Sequence, residues 1–296
     1  MSGQRHTIGV IGAGRVGAVL AAALSVAGHR IAAVAGESNA SRTRIETLLP
    51  GVRVDKPTAV AKAADVLLLT VPDDALDNVV RMLVASGAIR SGQHVVHTSG
   101  RHGLAVLEPA EEIGAHAIAM HPAMTFTGTD VDLDRLVGCV FGVTAEGGER
   151  DLARGLVADL GGRIMWVAEE LRTLYHAALA HGANHLVTLV SQAMDLLREA
   201  GVDDPAATLS PLLHAALDNT LAYGDAALTG PIVRGDVQTV RAHLQTMAET
   251  APSAVEAYVE MARATVNRAV VGGRLEPRRA AEIAEALDAG LALVRP

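Results

Sequence analysis

The first 168 residues alternate short, almost wholly apolar runs with stretches in which apolar side chains recur at helical spacing. Seven runs read as strands: Thr7–Ile11, Ile31–Ala35, Val66–Val71, His94–Thr98, Ala117–Met120, Cys139–Val143 and Ile164–Val167. Most lack polar–apolar alternation, as expected of parallel strands covered on both faces. Helical segments such as Arg15–Ala27 and Ala75–Ser86 lie between them, which predicts an α/β fold with a doubly wound parallel sheet. After Glu169 the strand pattern stops. One long helix is predicted from Glu170 to Ala200, ended by Gly201, and others near 205–226, 236–249, 252–270 and 276–294. The expected organisation is an α/β domain over 1–168 and an all-α domain over 169–296, packed with a cleft between them.

Composition narrows the partners. Half of the 296 residues are apolar but only 2% are aromatic, so the core must be built from Ala, Val and Leu. The net charge of −8 argues against nucleic acid or an anionic membrane surface as partner, and points to a small-molecule substrate. A single cysteine, Cys139, excludes an intramolecular disulfide and a multi-cysteine metal site, and the histidines show no metal spacing, so no metal is expected. The N-terminus lacks a signal-peptide layout. No uncharged apolar run reaches the ~18 residues of a membrane span. A soluble cytoplasmic protein is expected.

The strongest local signal is Gly12-Ala13-Gly14-Arg15-Val16-Gly17, which follows a strand directly and opens an amphipathic helix. Here Gly12 permits the tight turn, Gly14 lets the backbone approach a pyrophosphate, and Gly17 lets the helix pack on the strand. The anion would sit on the free N–H groups and positive end of that helix. Two readings of the specificity loop stand side by side. Glu37, about 20 residues past Gly17, suits a ribose 2′-OH and NAD(H), whereas Ser38, Asn39, Ser41 and Arg42 suit a 2′-phosphate. Gly36 occupies the place where an acid usually closes the strand, which tips the balance to NADP(H). Val71 and Pro72, at the carboxyl end of another strand, should border the cofactor, while Asp73 or Asp74 should cap the next helix.

Several phrases together carry a family resemblance: GVIGAGRVG, ADVLLLTVPDD, HTSG at 97–100, MHPAMTFTG at 120–128, YHAALAHGANHLVTL at 175–189 and LTGPIVRGD at 228–236. The chain resembles bacterial oxidoreductases that join a Rossmann-like NAD(P) domain to a C-terminal helical domain of unknown function. These are relatives of ketopantoate reductase, pyrroline-5-carboxylate reductase, prephenate dehydrogenase and 6-phosphogluconate dehydrogenase. The resemblance implies a substrate cleft between the domains, a 6-phosphogluconate dehydrogenase-like helical domain and a homodimer formed through it. It also exposes a departure. Ketopantoate reductases and β-hydroxyacid dehydrogenases place a lysine shortly before an asparagine on the first long helix. Here the only lysines are Lys56 and Lys62, and His181 stands three residues before Asn184.

On the long helix Thr173, Ala177, His181, Asn184, Thr188, Ser191 and Asp195 fall in one short-chained polar stripe, fit for a cleft or a subunit seam. His181 and Asn184 are catalytic candidates on that stripe; His176 lies off it, and the resemblance favours Tyr175-His176 as a motif. His121 follows an apolar strand, where an open α/β sheet builds its site, and its phrase is similar to the His-Pro-Met segment of prephenate dehydrogenases. It could donate a proton as hydride reaches a carbonyl or imine carbon; the alternative is a turn histidine bonded to backbone. Ser99 could hold a substrate carboxylate or carbonyl, or serve a local turn. Arg234 could clamp a carboxylate beside Thr229, and Asp236 reads as a helix N-cap. The resulting expectation is a hydride transfer between nicotinamide and a small carbonyl, hydroxy-acid or imine compound. The rival is an NADP-binding sensor or scaffold without turnover, and the loop also permits flavin or S-adenosylmethionine.

Overall fold

All seven apolar runs form strands in the computed structural model, which describes residues 4–36 and 38–295. They are β1 (Thr7–Ile11), β2 (Arg30–Ala35), β3 (Val66–Leu69), β4 (His94–His97), β5 (His116–Pro122), β6 (Val140–Ala145) and β7 (Arg163–Trp166). Between and after them lie α1 (Arg15–Val26), α2 (Asn39–Leu48), α3 (Pro57–Lys62), α4 (Asp73–Ala85), α5 (Glu108–Glu111), α6 (Val131–Leu136) and α7 (Glu149–Asp159). The helical remainder comprises α8 (Arg172–Glu199), α9 (Pro205–Tyr223), α10 (Val237–Thr250), α11 (Pro252–Val271) and α12 (Pro277–Ala292). By contact density the chain divides into a unit ending at Gly182 and a unit beginning at Ala183.

In the first unit the strands form one sheet in the order β2-β1-β3-β4-β5-β6-β7. An isolated parallel bridge, Val34 to Val54, adds a remnant strand outside β2, so the first half follows the 3-2-1-4-5 order of doubly wound nucleotide-binding sheets. Successive strand residues feed opposite cores. Ile8, Val10, Val66 and Leu68 face Val19, Leu20 and Leu24 of α1, while Ile11, Leu67 and Leu69 face Leu76, Val80 and Leu83 of α4. Burial on both faces explains the missing alternation in the sequence.

The sheet is mostly parallel, as expected, with one antiparallel pair. β6 pairs antiparallel with β5, and β7 follows β6 in parallel. The β5–β6 connection carries one helix, α6, of six residues. The antiparallel register sets Gly142 opposite His121.

In the second unit α10, α11 and α12 share a core of Val240, Leu244, Val255, Val259, Ile283 and Leu287. Gly290 permits the closest approach, since a Cβ there would meet Leu244 Cδ1 at 2.7 Å. α9 ends at Tyr223, earlier than its apolar pattern suggested, because Gly224 turns the chain at φ +57°. Large apolar side chains stay exposed on Leu186 and Val187 of α8, and on Leu212, Leu217 and Leu221 of α9, the last 79% accessible. No helix among the described residues is long and apolar enough to cross a membrane.

Candidate functional site

The glycine loop sits at the carboxyl end of β1, where the strand order reverses direction between β1 and β3. The amides of Gly12 and Ala13 both donate to Ala35 O at 3.0 Å, tying the loop to the end of β2. Gly12 has φ +97°, and a Cβ there would lie 2.7 Å from the Thr70 carbonyl carbon. A Cβ at Gly17 would overlap Thr70 Oγ1 and Gly12 O. Thr70, which sequence reasoning passed over, donates its hydroxyl to Gly12 O at 2.6 Å and so pins the loop from below.

Gly14 differs from its neighbours. It is the N-cap of α1, without a side-chain cap and with no acid in the first helical turn. A Cβ at Gly14 would find nothing closer than Gly12 O at 3.9 Å, so packing within the chain does not require glycine there. The uncapped N–H groups behind Arg15, Val16 and Gly17 and the open space over Gly14 fit a pyrophosphate. The residues present thus suit a dinucleotide.

Around the second strand end, Glu37 lies outside the described residues. Gly36 is held by packing: a Cβ there would come within 2.9 Å of Ser41 Cβ and 3.0 Å of Ala13 Cβ, which leaves no room for an acid. Ser38 caps α2, accepting from Ser41 N at 3.1 Å, and Arg42 is exposed on that helix. Arg15 and Arg44 both press on Gly128, with Arg44 Nε 2.7 Å from where its Cβ would be. Arg44 is a cation that the sequence reading did not single out. Val71 is half-buried and Pro72 exposed at the end of β3. Pro72, rather than Asp73 or Asp74, is the N-cap of α4; its extended ψ of 148° leads straight into a first turn that carries both acids.

A second cluster forms at the same edge of the sheet, three strands from β1 or ~14 Å at the usual strand spacing. It joins Ser99, His121 and His176 with three residues that were not candidates: Gly100, Gly142 and Arg172. His121 Nδ1 lies 2.9 Å from the Tyr175 hydroxyl, and its ring meets the His176 ring edge-on at 5.8 Å. Gly100 separates these rings: a Cβ there would be 2.5 Å from His176 Cδ2 and 3.1 Å from His121 Nε2. Ser99 Oγ accepts from His102 N at 3.0 Å, so its own hydrogen stays available to donate.

Buried polar groups brace the cluster. His97, fully buried, accepts from Ser99 N at Nδ1 (3.2 Å) and donates from Nε2 to Gly103 O (2.8 Å). Both partners have fixed roles, so this ring is neutral, and burial holds its pKa down to about 3. Arg172 is 0% exposed and donates to Ser99 O (2.6 Å), Thr144 Oγ1 (3.0 Å) and Gly142 O (3.4 Å). Its Nε is buried without a partner, and no described carboxylate forms an ion pair with it. Burial, then the neighbouring His176 and Arg172 side chains, depress the pKa of His121 to about 4. At neutral pH the site therefore holds a neutral imidazole beside a buried guanidinium.

His181 and Asn184 are exposed on α8, His181 in the first unit and Asn184 in the second. Thr229 and Arg234 are exposed in the second unit, in the turns before α10, where Asp236 is the N-cap and accepts from Thr239 N at 3.1 Å. A separate cavity of 520 Å³, lined by His6, His29, Asp65 and His94 among others, opens at the opposite, N-terminal edge of the sheet and includes none of the candidates.

Residues 1–122 match a Rossmann-like domain family, and residues 139–265 match a domain of unknown function, DUF2520. The two matches follow one another along the chain in the order that the resemblance implied. The second match begins where the sheet reverses at β6. The fold is shared with a candidate NADP oxidoreductase, BF3122, from Bacteroides fragilis, at 22% identity and a TM-score of 0.76 over 88% of this chain and 98% of that one. It is shared with protein TM1727 from Thermotoga maritima, at 19% identity and a TM-score of 0.65 over 90% and 99%. Pyrroline carboxylate reductase from Plasmodium falciparum, solved with NADP bound, has the same fold at 11% identity and a TM-score of 0.57 over 98% of both chains. No curated protein matches the chain in sequence.

Proposed function

We propose that this protein is an NAD(P)-dependent oxidoreductase acting on a small carbonyl, hydroxy-acid or imine compound. The observation that carries the reading is the open space over Gly14 at an uncapped helix end, on the same sheet edge as the half-buried His121. A bound nicotinamide dinucleotide would supply or accept the hydride. The amides behind Gly14 to Gly17 would hold its pyrophosphate, and Val71 and Pro72 would border it. Arg42, with Arg15 and Arg44 close by, gives the adenosine end a cationic surround suited to a 2′-phosphate, which favours NADP(H).

His121 would exchange the proton, and Ser99 would orient the substrate with its free hydroxyl hydrogen. We assign the half-buried His176 and the exposed His181, Asn184, Thr229 and Arg234 to substrate positioning on their polar chemistry. The reading includes a homodimer through the helical domain, which would cover the exposed apolar faces of α8 and α9. Screening 2-oxo acids and cyclic imines for NADPH consumption tests the activity. His121→Ala should keep cofactor affinity and lose turnover; full turnover in that variant removes His121 from the reaction.

A further inference from the structure

Gly142 is an interior residue of β6, where a glycine weakens the strand and needs a reason. The reason is Tyr175. A Cβ at Gly142 would sit 2.5 Å from both Cζ and Oη of that phenol, so only glycine lets the ring lie against the strand. The register of the antiparallel pair places His121 directly across from Gly142, and the phenol oxygen reaches His121 Nδ1 at 2.9 Å. A phenol is a better donor than acceptor, and the neutral imidazole offers Nδ1 as its acceptor, so the Tyr175 hydrogen points to Nδ1.

We propose that Tyr175 is the positioning residue and proton reservoir of this site: it donates to His121 Nδ1, keeps the ring hydrogen on Nε2, and refills the ring when Nε2 gives that hydrogen up. The proposal rests on the oxidoreductase reading above for its use, but not for its geometry. In the reducing direction, hydride adds to the substrate carbon and the π pair moves to the heteroatom. That atom takes the Nε2 proton while Nδ1 takes the phenol proton. The phenolate left behind lies near the Arg172 guanidinium and recovers a proton from solvent. The ring itself never has to become an imidazolium, a form that burial disfavours. The other titratable groups facing the pair are His176 on α8, Asp73 on α4 and Cys139 ahead of β6.

Nitrogen NMR of histidine-labelled protein, with carbon-labelled tyrosine, reads both partners without substrate. With 12 histidines and three tyrosines, His121→Gln and Tyr175→Phe assign the signals. The expected result is His121 with its hydrogen on Nε2 and a bare Nδ1. As pH rises through the Tyr175 titration, that hydrogen should move to Nδ1, because a phenolate can only accept. Tyr175→Phe should leave a mixture of tautomers, and Gly142→Ala, which displaces the phenol but keeps it, should do the same. Hydrogen on Nδ1 at neutral pH, or a tautomer indifferent to Tyr175 ionisation and to both variants, overturns the proposal. A protein that binds no nicotinamide dinucleotide but shows the coupled tautomer refutes the oxidoreductase reading alone.

Discussion

Gly14 and Gly17 belong to one motif, yet the structure gives them opposite reasons, and a pair of alanine variants separates those reasons. At Gly14 the backbone has φ −74°, which alanine adopts freely, and the new methyl would make only an ordinary contact with Gly12 O at 3.9 Å. Reduced freedom of the unfolded chain contributes about 0.4–1 kcal/mol of stability, and loss of a glycine N-cap costs a similar amount, roughly 0.5–1 kcal/mol. The two offset, so Gly14→Ala should unfold within about 0.5 kcal/mol of the parent. The same methyl occupies the space assigned to the pyrophosphate. An overpacked contact costs about 1–3 kcal/mol, which weakens dinucleotide affinity about 5- to 150-fold. At Gly17 the methyl would strike Thr70 Oγ1 and Gly12 O, so Gly17→Ala should lose ~1–3 kcal/mol of stability with no ligand present. Urea unfolding and calorimetric titration with NADPH on the three proteins measure both quantities. Parental affinity in Gly14→Ala would refute the assignment of that space to a ligand, and instability of the same variant would refute the packing argument.

Other consequences follow from the buried groups. His97 and His121 have pKa values pressed from 6.5 to about 3 and about 4, so the unfolded chain binds more protons between those values. Stability should therefore be full above pH 6.5 and fall as pH drops, by about 2 kcal/mol per histidine at pH 5; equal unfolding free energies at pH 7 and pH 5 would contradict this. Arg172→Leu strips the buried acceptors Ser99 O, Gly142 O and Thr144 Oγ1 of their donor, and should cost about 3–5 kcal/mol in urea unfolding. A loss below about 1 kcal/mol would show that these acceptors find other partners. Sedimentation should find a dimer that a Leu217→Glu, Leu221→Glu double variant dissociates, since both side chains are exposed on α9; a parent that sediments as a monomer removes the dimer.

Much of the fold was legible because its signal is local. Strands buried on both faces read as apolar runs, and the glycine loop, Gly201 and the Asp236 cap mark chain conformations that few residues adopt. Strand direction was not legible, because Val140–Ala145 has the composition of its parallel neighbours. The glycine loop was readable as a site, but its support by Thr70, 58 residues away, depends on β1 and β3 lying side by side. Arg172 opens a helix like any solvated arginine, and nothing in its neighbours announces burial. Gly142 could have served as a clue. A glycine inside an otherwise apolar strand asks what approaches it, and the answer here is Tyr175.

The central claim is that this chain binds a nicotinamide dinucleotide at its glycine loop. Calorimetric titration of the unmodified protein with NADPH, NADH, NADP and NAD tests it most directly. The account predicts saturable one-site binding, tighter for the phosphorylated pair because of the cationic surround of Arg15, Arg42 and Arg44. Absence of heat with all four, from protein shown to be folded, would contradict it.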